Sequence, residues 1–70
     1  MNLTPKELIA FMHHYGISKR ELSEILGVTI QAVTFWLKGK REISLTITRL
    51  VRLFEKYPQL IREFPIISRD

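Results

Sequence analysis

Residues 18–41 read SKRELSEILGVTIQAVTFWLKGKR and carry the strongest structural signals of the chain. Ser18 begins a capping box, and Gly27 stands where the following helix can end in a left-handed residue. Thr29 can cap a second apolar stretch, which Gly39 closes in the same way. The stretch predicts two short helices joined by a tight turn, over about residues 19–26 and 29–37.

The second helix of this pair has two different faces. Because a helix turns by about 100° per residue, Val33 and Trp36 lie about 60° apart. Both side chains are large and apolar, so we expect them to face the rest of the protein. This arrangement is typical of a helix-turn-helix, here over about residues 19–37. The opposite face is expected to present Ile30, Gln31, Thr34 and Phe35.

Signals for further helices lie on both sides of the pair. Thr4 and Glu7 form another capping box, which predicts a helix over about residues 5–15. Ser44 can cap a fourth helix, which Pro58 ends. A fifth helix is expected to run from Pro58 through Phe64, where Pro65 breaks it.

Length and composition limit the class of protein. Seventy residues allow one domain, residues 1–70, and the predicted helices make it an all-α, compact bundle of about five short helices. The absence of cysteine excludes disulfides and cysteine-ligated zinc. The sequence has neither an apolar run of about 20 residues nor the pattern of a signal peptide. We therefore expect a cytoplasmic protein without a membrane partner.

The net charge of +4 is distributed unevenly along the chain. Residues 1–37 carry three bases and three acids, whereas residues 38–70 carry eight bases and four acids. The whole positive excess therefore follows the second helix of the pair, where it could meet a polyanion. A modest excess of this kind is also common on solvated surfaces, so charge alone leaves both interpretations open.

The exposed face of the second helix has the chemistry of base reading. The amide of Gln31 can donate to and accept from adenine in the major groove. Thr34 could contact a base or a phosphate. Ile30 and Phe35 could contact thymine methyl groups or belong to a protein interface, and Phe35 could instead fold back onto Leu37. An isolated glutamine is also common on helix surfaces, so its setting matters.

Cations flank this uncharged helix. In a docked helix-turn-helix, the start of the first helix and the loop after the second lie against the DNA backbone. Both places are basic here, and the free amides at the first helix start would add to the attraction for phosphate. The candidate phosphate-binding cations are Lys19, Lys38, Lys40 and Arg41.

The run LSEILGVT at residues 22–29, followed by Val33, Trp36 and GKR at residues 39–41, resembles the lambda-repressor/Cro family of helix-turn-helix proteins, often called Xre-like. The resemblance covers about residues 5–57. It implies a regulator that binds double-stranded DNA with sequence specificity.

The resemblance also implies roles for individual residues. Positions that read bases match Ile30, Gln31, Thr34 and Phe35, and positions at or near phosphate match Thr29, Lys38, Lys40 and Arg41. The chain departs from the family at two positions. Lys19 replaces a usual glutamine, which exchanges one phosphate-binding side chain for another. Ser23 replaces a usual alanine and keeps a small residue at the helix crossing.

The family binds palindromic operators as dimers, and a monomer of this size would contact too few base pairs to select one site. The final segment, residues 58–70, is richer in apolar groups than a free tail needs. We therefore expect a homodimer, although part of the segment could instead cover its own core. The candidate interface residues are Leu60, Ile61, Phe64, Ile66 and Ile67.

By resemblance, stand-alone family members of this size are phage or mobile-element repressors, autoregulators of short operons including anti-CRISPR ones, or antitoxin-type regulators. The simplest mechanism is a dimer that occludes a promoter. Activation through contact with polymerase stays open.

Catalysis and metal binding are not expected. His13 and His14 are neighbours on a helix and point about 100° apart, which is too divergent for a shared metal. No nucleophile turn, glycine-rich phosphate loop or cofactor motif occurs, and no small-molecule ligand is predicted. The serious alternative is a helical protein-protein interaction module that uses Ile30, Phe35 and the C-terminal apolar residues.

Overall fold

The structure is a computed structural model that describes residues 2–67, with side chains described for residues 2–63. The described residues form helices and turns without a strand, so the predicted all-α fold is confirmed. The helices are α1 (Pro5–Tyr15), α2 (Lys19–Leu26), α3 (Ile30–Leu37), α4 (Leu45–Lys56) and α5 (Gln59–Ile67).

The helices begin where side-chain caps satisfy their first backbone amides. At α1 the Thr4 hydroxyl accepts from the Glu7 N–H at 3.2 Å, and the Glu7 carboxylate accepts from the Thr4 N–H at 3.0 Å. Ser18 and Glu21 make the same reciprocal pair at α2, at 3.1 and 2.9 Å. Each predicted capping box is therefore present, and local sequence sets where these helices start.

Glycines end the two helices of the helix-turn-helix. Gly27 has φ of +71° and Gly39 has φ of +73°, a region that disfavours residues with a Cβ atom. The chain then reverses and the next amides bond back to the helix: Val28 N–H donates to the Ser23 carbonyl at 3.0 Å. These hydrogen bonds satisfy carbonyls that a helix end otherwise leaves without partners.

The core lies where α2 packs against α3 and α5, and α1 against α3. Ser23 is buried at the crossing of α2 with its neighbours, and its hydroxyl donates to the Arg20 carbonyl at 2.6 Å. A serine is therefore tolerated there because its polar group is satisfied within its own helix. The largest fully buried side chains are Leu8, Leu22, Val33, Ile43, Val51 and Phe54.

Two polar contacts hold the N-terminal region against α4. The buried Thr48 hydroxyl accepts from the Leu3 N–H at 2.8 Å and donates to the Ser44 carbonyl at 2.9 Å. Arg52 donates to the Glu7 carboxylate at 2.8 Å and to the Glu55 carboxylate at 3.1 Å. Local sequence does not predict either contact. Leu3 and Thr48 are 45 positions apart in the chain, and so are Glu7 and Arg52.

The structure corrects one prediction for the C-terminal segment and bears on a second. Pro65 does not end α5, which continues to Ile67. A proline removes one backbone donor and crowds the carbonyl four residues earlier, but the residues after it can keep helical dihedral angles. Ile61 is only 9% exposed and belongs to the core of its own chain, which favours the alternative that this part of the segment covers its own core.

The Glu7–Arg52 pair generates a prediction about acid stability. The hydrogen bond from Arg52, helped by that from the Thr4 N–H, lowers the pKa of Glu7 from 4.5 to about 2. A carboxylate with a lowered pKa stabilises the folded state above its unfolded pKa and loses that effect as the pH falls toward the folded value. We expect Glu7→Gln to lower the melting temperature at pH 6, with the difference from the wild type shrinking between pH 4.5 and 2.

The matched control is Glu21→Gln, since Glu21 holds the same capping position at α2 without an ion pair among residues 2–63. Both partners of the Glu7–Arg52 pair are almost half exposed, so 0.5 M salt should narrow the Glu7→Gln difference. A melting-temperature difference that stays constant from pH 6 to 2 would contradict the assignment.

Candidate nucleic-acid interface

Helix α3 is oriented by its buried side. Val33 is fully buried and Trp36 is 5% exposed, as the periodicity predicted, and Ala32 is buried beside them. Ile30 is 45% exposed and Gln31 is also exposed, so the first turn of α3 presents an amide and an apolar branch to solvent. This pair is the most accessible part of the predicted reading face.

Thr34 and Phe35, one turn further along α3, are only partly exposed. The expectation that both project fully outward is therefore met in part. Leu37 is also partly buried and packs against the core beside the buried Trp36. The predicted reading face is consequently open at its first turn and more enclosed at its second.

Thr29 combines a structural and a possible binding role. Its hydroxyl oxygen accepts from the Ala32 N–H at 3.0 Å and so caps α3. The hydroxyl hydrogen stays free to donate, because a threonine hydroxyl is both acceptor and donor. Thr29 is exposed, so the same group that starts α3 can also meet a phosphate oxygen.

Lys19 occupies the first position of α2, immediately after the Ser18 cap. Its side chain is exposed and makes no ion pair with any residue of the described range. Positive charge at a helix start adds to the partial charge of the helix dipole, which makes this end attractive to anions. Arg20 is exposed beside Lys19 but was not predicted as a phosphate-binding residue. Its position in the same basic first turn could have indicated that role.

The turn after α3 carries the remaining candidate cations. The Gly39 N–H donates to the Trp36 carbonyl at 3.1 Å and the Lys40 N–H donates to the Phe35 carbonyl at 2.9 Å. These bonds fix the backbone of the turn on the end of α3. Lys38, Lys40 and Arg41 are exposed there, and within residues 2–63 none of them forms an ion pair.

One contact in this turn was missed by sequence reasoning. The guanidinium carbon of Arg41 lies 5.6 Å from the centre of the Phe35 ring, within the range of a cation–π interaction. Gly39 could have indicated this contact, because a left-handed residue at that position folds the following chain back toward the last turn of α3. A candidate base-reading residue and a candidate phosphate-binding residue therefore touch.

The described part of the chain offers no arrangement for a metal site or a membrane span. His13 and His14 are exposed on α1, and residues 2–67 contain no group of three or more His, Cys, Asp or Glu side chains that could hold a metal. None of the described helices is long and apolar enough to cross a membrane.

The fold and the exposed first turn of α3 define a helix-turn-helix protein. A family model described as helix-turn-helix (HTH_3) matches residues 2–58, and the chain belongs to this Cro/C1-type family. The match confirms the resemblance to lambda-repressor and Xre-like proteins, and the protein is a DNA-binding regulator. A comparison with curated proteins found no match.

The exposed cations generate a prediction about salt dependence. If Lys40 meets one phosphate, Lys40→Ala should lower the slope of log K against log salt by about 0.9, because one fewer counterion is released. The slope is measured by fluorescence anisotropy on duplex DNA between 50 and 300 mM salt.

Lys56→Ala is the matched control, since it removes the same charge. Lys56 is the last residue of α4, about 18 Å along the helix axis from its cap Ser44, which follows the basic turn closely in the chain. The control should leave the slope unchanged. Equal slopes for the wild type and Lys40→Ala would remove Lys40 from the interface.

Proposed function

We propose that this protein is a dimeric transcriptional repressor that binds a palindromic operator and occludes a promoter. It acts in the cytoplasm on the nucleoid, as an autoregulator of phage, mobile-element, anti-CRISPR-associated or antitoxin type. The observation that carries the proposal is the orientation of α3: Val33 and Trp36 are buried while Gln31 is exposed, and the cations that flank α3 make no ion pair within residues 2–63.

The first step of the proposal concerns base reading. Gln31 is exposed in the first turn of α3, where an amide can pair with both polar groups of adenine in the major groove. Ile30 is exposed beside it and suits a thymine methyl group, and Thr34 and Phe35 extend the set. Because α3 carries no charged residue, direct readout by this helix favours A·T pairs over guanine.

The second step concerns affinity. Lys19 and Thr29 lie at the starts of α2 and α3, and Lys38, Lys40 and Arg41 lie in the turn that follows α3. Groups at these places can bind phosphates on both sides of the groove that α3 enters. In this arrangement phosphate contacts supply affinity and register, and the uncharged helix supplies selectivity.

The third step concerns the dimer. Ile61 is buried in the core of its own chain and Leu60 is partly buried against that core, so both offer little surface to a partner. The proposal therefore depends on the segment after Glu63. The side chains of Phe64, Ile66 and Ile67 lie outside the described residues, and their apolar composition is what supports a two-fold interface there.

The fourth step concerns mechanism. The helix-turn-helix family model matches residues 2–58, which supports a role in DNA binding. A protein that binds a promoter and excludes polymerase needs no further activity. Regulation then follows the concentration of the dimer.

A second function is favoured by one observation. Ile30 is 45% exposed on a helix without charge, which also suits a protein partner. A helical interaction module would bind that partner without the steep salt dependence of DNA binding.

The base-reading step predicts a difference between specific and random DNA. Gln31→Ala should weaken binding to the operator by about 1–3 kcal/mol, because a bidentate pair with a base is lost, and should barely change binding to a random duplex. Electrophoretic mobility shifts on the region upstream of the gene and on shuffled DNA measure both. Equal losses on the two duplexes would exclude Gln31 from base reading.

The dimer step predicts an oligomeric state. Sedimentation should show a dimer at micromolar concentration, with or without operator DNA, and Ile67→Glu should give a monomer that binds one half-site weakly. Leu53→Glu, at an exposed apolar position of α4, is the control and should stay dimeric. A wild-type protein that stays monomeric on and off DNA would refute the proposed dimer.

A further inference from the structure

The side chains of Phe35 and Arg41 form a contact that the base-reading and phosphate-binding roles do not explain. The Arg41 guanidinium carbon lies 5.6 Å from the Phe35 ring centre. Phe35 is partly buried at the C-terminal half of α3, whereas Arg41 is exposed in the following turn. The ring is therefore the more fixed partner of the two.

The backbone also joins these two residues. The Phe35 carbonyl accepts from the Lys40 N–H at 2.9 Å and from the Arg41 N–H at 3.4 Å. This doubly bonded carbonyl fixes the Cα of Arg41 near the ring, and Gly39, with φ of +73°, allows the chain reversal. The contact is thus a consequence of how α3 ends.

The charge of Arg41 is available for a ligand outside the chain. Within residues 2–63 it makes no ion pair, and the neighbouring Glu42 does not bind it. A guanidinium that lies over an aromatic ring keeps the N–H groups at its edge free. Those groups can donate to a phosphate while the ring limits the rotamers of the long side chain.

We propose that Phe35 is a positioning residue that holds Arg41 for a backbone phosphate of the bound duplex. This inference rests on the proposed DNA interface and changes the role of Phe35 within it. Phe35 then contributes to affinity on any duplex through Arg41, in addition to whatever contact it makes with a base.

A double-mutant cycle tests the inference. Phe35→Leu should weaken binding to random duplex about two- to fivefold, which is the cation–π contribution of an exposed pair. In the Arg41→Ala background the same substitution should have almost no effect on random duplex. Phe35→Tyr keeps the ring and should restore wild-type binding.

Ile30→Ala is the matched control. Ile30 is an exposed apolar residue of the same helix. Among the described residues, Arg41 makes its cation–π contact with Phe35. The effect of Ile30→Ala should be the same with and without Arg41. Thermal unfolding of each variant separates a loss of fold from a loss of positioning.

A readout without DNA checks the contact itself. The Arg41 side-chain protons should show an upfield ring-current shift in NMR spectra of the wild type and Phe35→Tyr, and Phe35→Leu should abolish it. An Arg41 side chain with random-coil shifts in the wild type would overturn the inference.

The outcomes separate this inference from the proposed function. If the wild type binds no duplex even at 50 mM salt, both fail. If the wild type binds and Phe35→Leu costs the same with and without Arg41, only the positioning role fails. A Phe35→Leu loss confined to the specific operator would likewise leave the DNA-binding proposal standing and overturn this one.

Discussion

The burial of one side of α3 orients the candidate interface. Val33 and Trp36 pack into the core, and this contact sets the rotation of the helix about its own axis. A rotation by one residue, about 100°, would bury Gln31 and expose apolar surface. Burial of an unpaired amide is costly, so the same packing that stabilises the fold also selects the face of α3 that we propose for DNA binding.

In the proposed interface, base reading and phosphate binding are assigned to different parts of the chain. α3 carries no charge, so it offers shape, one amide and apolar groups, whereas the cations lie at the start of α2 and in the turn that follows α3. If the proposed roles hold, this separation lets the operator preference change through α3 while the affinity for phosphate stays. In the core, the Ser23 hydroxyl donates to a carbonyl of its own helix and therefore needs no partner on a neighbouring helix.

Local chemistry made much of the fold predictable from sequence. Capping boxes at Thr4 and Ser18 and helix-ending glycines such as Gly27 act over three to five residues, so α1 and α2 were predicted with their observed bounds. Periodicity likewise predicted which side of α3 is buried. Composition could not predict how far Phe35 is enclosed, since that depends on the residues around the end of the helix.

Caps, glycines and periodicity act within a few residues, so the amino-acid sequence alone predicted the bounds of α1 and α2 and the buried side of α3, although not the end of α5. That Ile61 belongs to the core and that Glu7 pairs with Arg52 across 45 positions emerged only from the folded structure. These contacts depend on how whole helices pack, and that packing is a property of the folded chain rather than of any short stretch of it.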